Sequence, residues 1–219
     1  KKYRFIAPIV KKLLRIGFPS MISYMLIYLG FFLINKEVEH YGAVALNAQG
    51  IASNINSICF ILPASIGTTV TSMISMNLGI GNIEKSKKIF YCGITTSIVI
   101  ALFISASTLP FSNVFTLSFT REKAVLDIAN RALNIYTYSV IGFGIFCVCQ
   151  GVFIALARTK VPMFMSILRI WFFRYLFILF TKSTLGLYSV FWGNLFSNLL
   201  AGTVFFILVL NIDWNKNYS

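Results

Sequence analysis

Two arginines interrupt one of the most apolar stretches of the sequence. They are Arg169 and Arg174, in the segment SILRIWFFR (residues 166–174), and residues 161–181 otherwise have the composition of a membrane-spanning helix. A guanidinium in the hydrocarbon region of a bilayer is costly, so such a side chain faces the interior of a helix bundle or reaches an interface. The first question is therefore which groups accompany these two cations.

The carboxylates that usually pair with arginine lie elsewhere in the sequence. All six of them, and the single histidine, fall outside the apolar segments: Glu37, Glu39, Glu84, Glu122, Asp127, Asp213 and His40. A protease or proton relay within a membrane needs histidine or carboxylates at membrane depth, and a serine nucleophile needs a base. We therefore expect no enzymatic activity, no catalytic residues and no metal site, with the four cysteines buried as small apolar residues.

The composition indicates a membrane protein. The chain has 219 residues, of which 58% are hydrophobic and 11% charged, and its mean hydropathy is +0.81. A soluble domain carries about twice that share of charge. The net charge of +13 comes from basic residues at the ends of apolar runs, so the expected partner is the lipid bilayer and not nucleic acid. Because the sequence begins with lysine and shows no signal peptide, we interpret it as a fragment.

Apolar runs of bilayer length predict an all-α polytopic membrane protein with six transmembrane helices in one domain. A basic lead is predicted at 1–16 and a tail at 212–219. Between them, the predicted helices span 17–35, 44–79, 83–109, 120–157, 161–181 and 186–211. The second run is too long for one straight span and contains Pro63. Asn82 and Thr120 are the predicted N-caps of the third and fourth helices.

The distribution of basic residues predicts the orientation. If the N-terminus is cytoplasmic, twelve lysines and arginines lie in cytoplasmic segments and five in external ones. The positive-inside rule favours that arrangement. With an even number of spans, both termini are expected on the cytoplasmic side of the cell membrane.

Neutral polar side chains recur at helical spacing within the predicted spans. One stripe on the second helix falls within about 80° of arc at 100° per residue: Asn47, Asn54, Ser57, Ser65, Thr68, Ser72 and Ser75. Such residues either bond between helices or line a water-filled cavity. The residues that we predict to line a substrate cavity are Tyr24, Tyr28, Asn54, Tyr136 and Gln150.

Depth along the fifth helix predicts different roles for the two arginines. At 1.5 Å per residue, Arg169 lies roughly 12 Å and Arg174 roughly 20 Å from the cytoplasmic end. In a regular α-helix they are about 140° apart, and so on different faces. Arg169 is the predicted interfacial anchor, reaching back to the lipid phosphates or to the neighbourhood of Glu84 or Asp213. Arg174 is predicted to face the bundle interior, in a structural polar network with Asn194 or Asn198.

Four motifs, in order and spacing, resemble the multidrug and toxic compound extrusion (MATE) family. They are GFPS (17–20), ALNAQGIA (45–52), NLGIGN (77–82) and GVFIALARTKVPM (151–163). The resemblance covers nearly the whole chain. It implies a transporter of two six-helix lobes, of which this chain is similar to the C-terminal lobe because the last motif is followed by LRIWFFR. The missing N-terminal lobe is then the expected partner.

The resemblance also implies a function. It is export of small organic compounds, often cationic or amphipathic, by an antiporter that uses an H⁺ or Na⁺ gradient and alternating access. One sodium-coupled branch of the family carries a glutamate in helix seven and an aspartate in helix ten. The matching segments here, 24–28 and 136–150, contain no acidic residue. We therefore expect no cofactor, and a coupling ion bound in the missing lobe. The alternatives are a flippase for a lipid-linked anionic precursor and a non-transporting half-transporter.

Overall fold

Helices make up almost all of the described chain. A computed structural model describes the backbone of residues 7–214 and the side chains of 21, 22 and 24–214. The elements in chain order are α1 (Ala7–Glu39), α2 (Ala43–Gly79), α3 (Ile83–Thr108), α4 (Ser112–Leu117), α5 (Lys123–Ala155), α6 (Lys160–Ile167), a π-helical segment (Leu168–Tyr175), α7 (Leu176–Leu185) and α8 (Tyr188–Leu210). The predicted lead at 1–16 and tail at 212–219 lie partly outside the described residues.

Five helical stretches of the described chain are long and apolar enough to cross a membrane. They are Ala43–Gly79, Ile83–Thr108, Lys123–Ala155, Lys160–Leu185 and Tyr188–Leu210. The fourth of these combines α6, the π-helical segment and α7. The predicted first span at 17–35 lies within α1, of which only part of the side chains is described. The all-α membrane architecture thus follows from the apolar runs of the sequence.

The second apolar run forms one uninterrupted helix of 37 residues, despite the proline within it. At 1.5 Å per residue it is roughly 55 Å long, whereas the hydrocarbon core of a bilayer is about 30 Å thick. Helix α2 therefore extends beyond the hydrocarbon core or tilts strongly within it. Pro63 is buried in the middle of this helix.

Helix α5 is the central element of the lobe. In the most apolar stretch of α5, 61% of the residues are buried, against 22% to 44% in the corresponding stretches of the other spans. This helix packs on α2, α3 and α8. Glycines allow the closest approaches. A Cβ added to Gly142 of α5 would lie 2.6 Å from the backbone of Asn198 in α8, and one added to Gly67 of α2 would lie 2.7 Å from the Cys147 carbonyl oxygen of α5. Small residues at such contacts are typical of helix packing in membranes.

The helix boundaries follow local capping. The predicted Asn82 cap is confirmed, because its side chain accepts a hydrogen bond from the Lys85 N–H at 3.0 Å. Gly81 precedes it with a φ of 76°, in the left-handed region that favours glycine. The predicted Thr120 cap is wrong by two residues. Helix α5 is N-capped at Glu122, and the Thr120 hydroxyl instead accepts from the Glu122 N–H at 3.2 Å.

Candidate functional site: a cavity with two arginines

The π-helical segment brings both arginines to one side of their helix. In a π-helix the backbone N–H of a residue donates to the carbonyl five residues earlier, as the Leu176 N–H does to the Trp171 carbonyl. Each turn of a π-helix contains more residues than a turn of an α-helix, so residues five apart lie closer together around the helix axis. Arg169 and Arg174 have this spacing, and both line the same cavity. The prediction that they occupy different faces is therefore wrong, because it assumed regular α-helical geometry.

The cavity lies among five elements and has a volume of about 420 Å³. Helices α1, α2, α5, the π-helical segment and α8 supply its walls. The lining side chains of the described residues include no carboxylate: Phe31, Asn35, Gln49, Ser53, Asn56, Ser57, Phe60, Tyr136, Phe143, Arg169, Arg174 and Asn194. The cavity thus combines polar groups, aromatic rings and two positive charges.

Arg169 points into the cavity instead of towards an interface. One of its terminal nitrogens donates a hydrogen bond of 2.7 Å to the Asn198 side-chain oxygen. Its guanidinium carbon lies 5.3 Å and 5.0 Å from the ring centres of Phe143 and Phe146, which are cation–π distances. The predicted role of Arg169 as an interfacial anchor is therefore wrong, since an amide acceptor and two aromatic faces hold it within the bundle.

Arg174 is buried, with 8% of its surface exposed, and its guanidinium lies over the Phe31 ring at 5.6 Å. It shares the cavity wall with Asn194 and Tyr136. Its predicted partners are engaged elsewhere. The Asn198 oxygen accepts from Arg169, and the Asn198 amide nitrogen donates to Asn194 at 3.0 Å. The predicted network of Arg174 with Asn194 and Asn198 is thus replaced by a network that contains Arg169.

That network connects three elements. The Asn194 amide donates to the Ser139 hydroxyl of α5 at 3.3 Å, and the Ser139 hydroxyl donates to the Tyr136 carbonyl at 2.6 Å. From Ser139 the bonds run through Asn194 and Asn198 of α8 to Arg169 of the π-helical segment. Three members are at most 4% exposed, namely Ser139, Asn194 and Asn198. These bonds fix the position of the Arg169 side chain in the cavity wall.

Several buried polar atoms of the cavity residues have no hydrogen-bond partner among the described residues. They are Asn56 Oδ1, the Tyr136 hydroxyl, Arg169 Nε and Arg174 Nε. The Tyr136 hydroxyl lies beside the Arg174 guanidinium, but without a well-formed hydrogen bond. Buried polar groups are rarely left unpaired, so such a cluster requires an explanation.

The other predicted cavity residues occupy different places. Tyr24 and Gln150 line a separate pocket of about 260 Å³ between α1, α5 and α6. Tyr28 is 70% exposed in a mainly apolar groove along α1, and Asn54 is exposed on α2. Of the five predicted residues, only Tyr136 lines the cavity with the arginines.

A second polar face of α2, which was not predicted from the sequence, forms part of the cavity wall. Gln49, Ser53 and Asn56 follow one another at spacings of four and three, which is the repeat of a helix face, and all three line the cavity. Gln49 and Asn56 are each 5% exposed. Of the predicted stripe through Asn47 and Asn54, only Ser57 lines the cavity among the described residues.

A comparison with protein families identifies the chain. The MatE family model matches residues 19–180. The chain belongs to the MatE family. The predicted resemblance is therefore confirmed. Membership of this family and the apolar helices indicate a multi-pass membrane protein.

The MatE chain is similar to multidrug resistance proteins. It is 27% identical over 159 residues to a probable multidrug resistance protein, YoeA, of Bacillus subtilis, covering 73% of this chain and 34% of that protein. It is 22% identical over 208 residues to a probable multidrug resistance protein, NorM, of Thermotoga maritima, covering 94% of this chain and 45% of that one. The chain thus spans less than half the length of these relatives.

The fold of the MatE chain also matches solved structures. An outward-facing multidrug resistance MATE family transporter of the MOP superfamily superposes with a TM-score of 0.84 at 20% sequence identity. The match covers 95% of this chain and 47% of that transporter. The similarity confirms the predicted fold class, a helical lobe of a MATE-like transporter.

Proposed function

We propose that this chain forms one lobe of a secondary multidrug efflux transporter in the cell membrane. A second six-helix lobe completes the transporter, and the two lobes expose a central space alternately to either side of the membrane. An H⁺ or Na⁺ gradient drives export, and both termini are cytoplasmic. The names of the relatives and the length of chain that they share with this one support the proposal.

The exposed polar stripe of α2 is the observation that carries this proposal. All seven of its residues are exposed on the described chain. Its serines and threonine satisfy their hydroxyls within the helix, as when Ser65 donates to the Ile61 carbonyl at 2.9 Å and Ser75 to the Thr71 carbonyl at 2.7 Å. The amides of Asn47 and Asn54 are costly to place against lipid. A stripe of this kind suits a water-filled space between two lobes.

Thiol labelling distinguishes water from lipid on this stripe. In a variant without native cysteines, Asn54→Cys and Ser72→Cys are expected to react with a charged methanethiosulfonate on the order of tenfold faster than Phe103→Cys, because the reactive thiolate forms in water. Phe103 is the control, since it is 71% exposed on the apolar surface of α3. Equal reaction at residues 54 and 103 would place the stripe against lipid and contradict the two-lobe arrangement.

Transport itself is tested in cells. In a host that lacks its own exporters, the complete gene product is expected to lower the retention of planar organic dyes, and collapse of the ion gradient is expected to restore it. Unchanged retention with and without the gene would contradict efflux.

A flippase is the second candidate function. The two arginines and the absence of lining carboxylates among the described residues favour it, since a positively charged cavity attracts phosphate. Movement of an anionic lipid across vesicle membranes, without dye export, would favour this reading.

A further inference from the structure

The cavity carries two permanent positive charges without a countercharge on its walls. Arginine does not lose its proton in proteins, so Arg169 and Arg174 remain cations. No acidic side chain lines the cavity in the described part of the chain. Ionisable groups within a membrane protein normally pair with one another or with backbone carbonyls, and here two like charges share one cavity.

The contacts within the protein compensate these charges only in part. Arg169 has one amide acceptor and two aromatic faces, whereas Arg174 has one ring beneath it and the Tyr136 hydroxyl beside it. The Nε atom of each arginine and the Tyr136 hydroxyl remain without partners among the described residues. Arg174 and Tyr136 are 8% and 1% exposed, so these donors lie in a wall that is largely shielded from solvent. An anion in the cavity supplies the countercharge that this wall lacks.

We propose that this cavity binds the anionic group of an amphipathic organic compound. A carboxylate, sulfonate or phosphate accepts hydrogen bonds from the guanidinium groups of Arg174 and Arg169. The apolar part of the compound lies against the Phe60 and Phe143 rings, which stack with centres 4.0 Å apart. The anion site is a property of this lobe alone, whereas its assignment to a transported substrate rests on the proposed function.

Dye binding to the purified chain in nanodiscs tests the site. Fluorescein is an anionic xanthene dye, and pyronin Y is a cationic dye with the same ring system. Fluorescence anisotropy is expected to show tighter binding of fluorescein by the unaltered chain. Arg174→Gln is expected to weaken fluorescein binding about tenfold or more, the effect of losing one charge-assisted hydrogen bond. Arg174→Lys is expected to retain part of the binding because it keeps the charge.

Arg131→Gln is the matched control. It removes the same charge from an exposed arginine that bonds to Tyr188 outside the cavity, and it should leave fluorescein binding unchanged. Equal binding of the two dyes by the unaltered chain, or equal losses in the residue 131 and 174 variants, would overturn the proposal. The comparison of dyes on the unaltered chain decides the question even if Arg174→Gln does not fold.

Two further experiments identify the source of the anion and test whether it is transported. Nanodiscs that contain phosphatidylglycerol compete with fluorescein if a lipid headgroup occupies the site, whereas soluble benzenesulfonate competes if free organic anions enter. Either result supports the anion site, and failure of both competitors to displace fluorescein would overturn it.

Proteoliposomes containing the complete transporter then test export. Binding without export would refute the proposed function alone, and export of pyronin Y with no binding of fluorescein would refute the anion site alone.

Discussion

Replacing Gly142 with alanine is expected to lower the free energy of unfolding by about 3 kcal/mol, at the upper end of the range for overpacking. The new Cβ would lie 2.6 Å from the Asn198 carbonyl carbon and oxygen and from the Leu199 nitrogen. These are backbone atoms of α8, which cannot turn aside as a flexible side chain could. Helix α8 must therefore move away from α5, and it carries the asparagine that holds Arg169. Denaturation in mixed detergent micelles measures the loss.

Gly50→Ala is the control for this substitution. Gly50 is also a helical glycine, but an added Cβ there meets no atom within 4 Å. Alanine is favoured over glycine in a helix by about 1 kcal/mol, so this variant is expected to be at least as stable as the unaltered chain. Similar losses at positions 50 and 142 would contradict the close approach of α5 and α8.

The helical architecture of this protein could be predicted because it depends on composition and length. A chain in lipid must satisfy its backbone hydrogen bonds within each span, so an apolar run of sufficient length becomes a helix. Residues 44–79 and 83–109 therefore correspond closely to Ala43–Gly79 and Ile83–Thr108. The cap at Asn82 could also be predicted, because it depends only on a side chain and a backbone N–H three residues apart.

The arginine cavity could not be predicted, because it depends on a departure from regular helix geometry. The π-helical segment packs closely against α1. The Trp171 indole donates across to the Leu26 carbonyl of α1 at 2.9 Å, and a Cβ at Gly30 would lie 2.5 Å from Ile170. These contacts join residues about 140 positions apart. A calculation at 100° per residue includes none of them, so it separated Arg169 from Arg174 and gave each the wrong surroundings.

The polar faces of α2 illustrate a second limit of the sequence. Two sets of polar residues follow the helical repeat, one through Asn47 and Asn54 and one through Gln49 and Asn56. Periodicity identifies both faces but does not show which one the other helices of the lobe cover. Tertiary packing decides it, since the second face closes the cavity and the first stays exposed.

Double-mutant cycles are expected to assign Asn198 to Arg169 and not to Arg174. The cycle of Arg169→Gln with Asn198→Ala should give a coupling free energy of about 1.5–3 kcal/mol, the usual contribution of a hydrogen bond to a charged group, because the structure joins these side chains at 2.7 Å. The cycle of Arg174→Gln with Asn198→Ala should give less than about 0.5 kcal/mol, the level of independent sites. Unfolding in mixed micelles supplies all the free energies. In a regular α-helix, with Arg169 at an interface and Arg174 bonded to the asparagines, the larger coupling free energy would instead be that of Arg174 with Asn198. The same measurement therefore tests the π-helical register and the wall of the proposed anion site, since Arg174 is free to bind a ligand only if Arg169 holds Asn198.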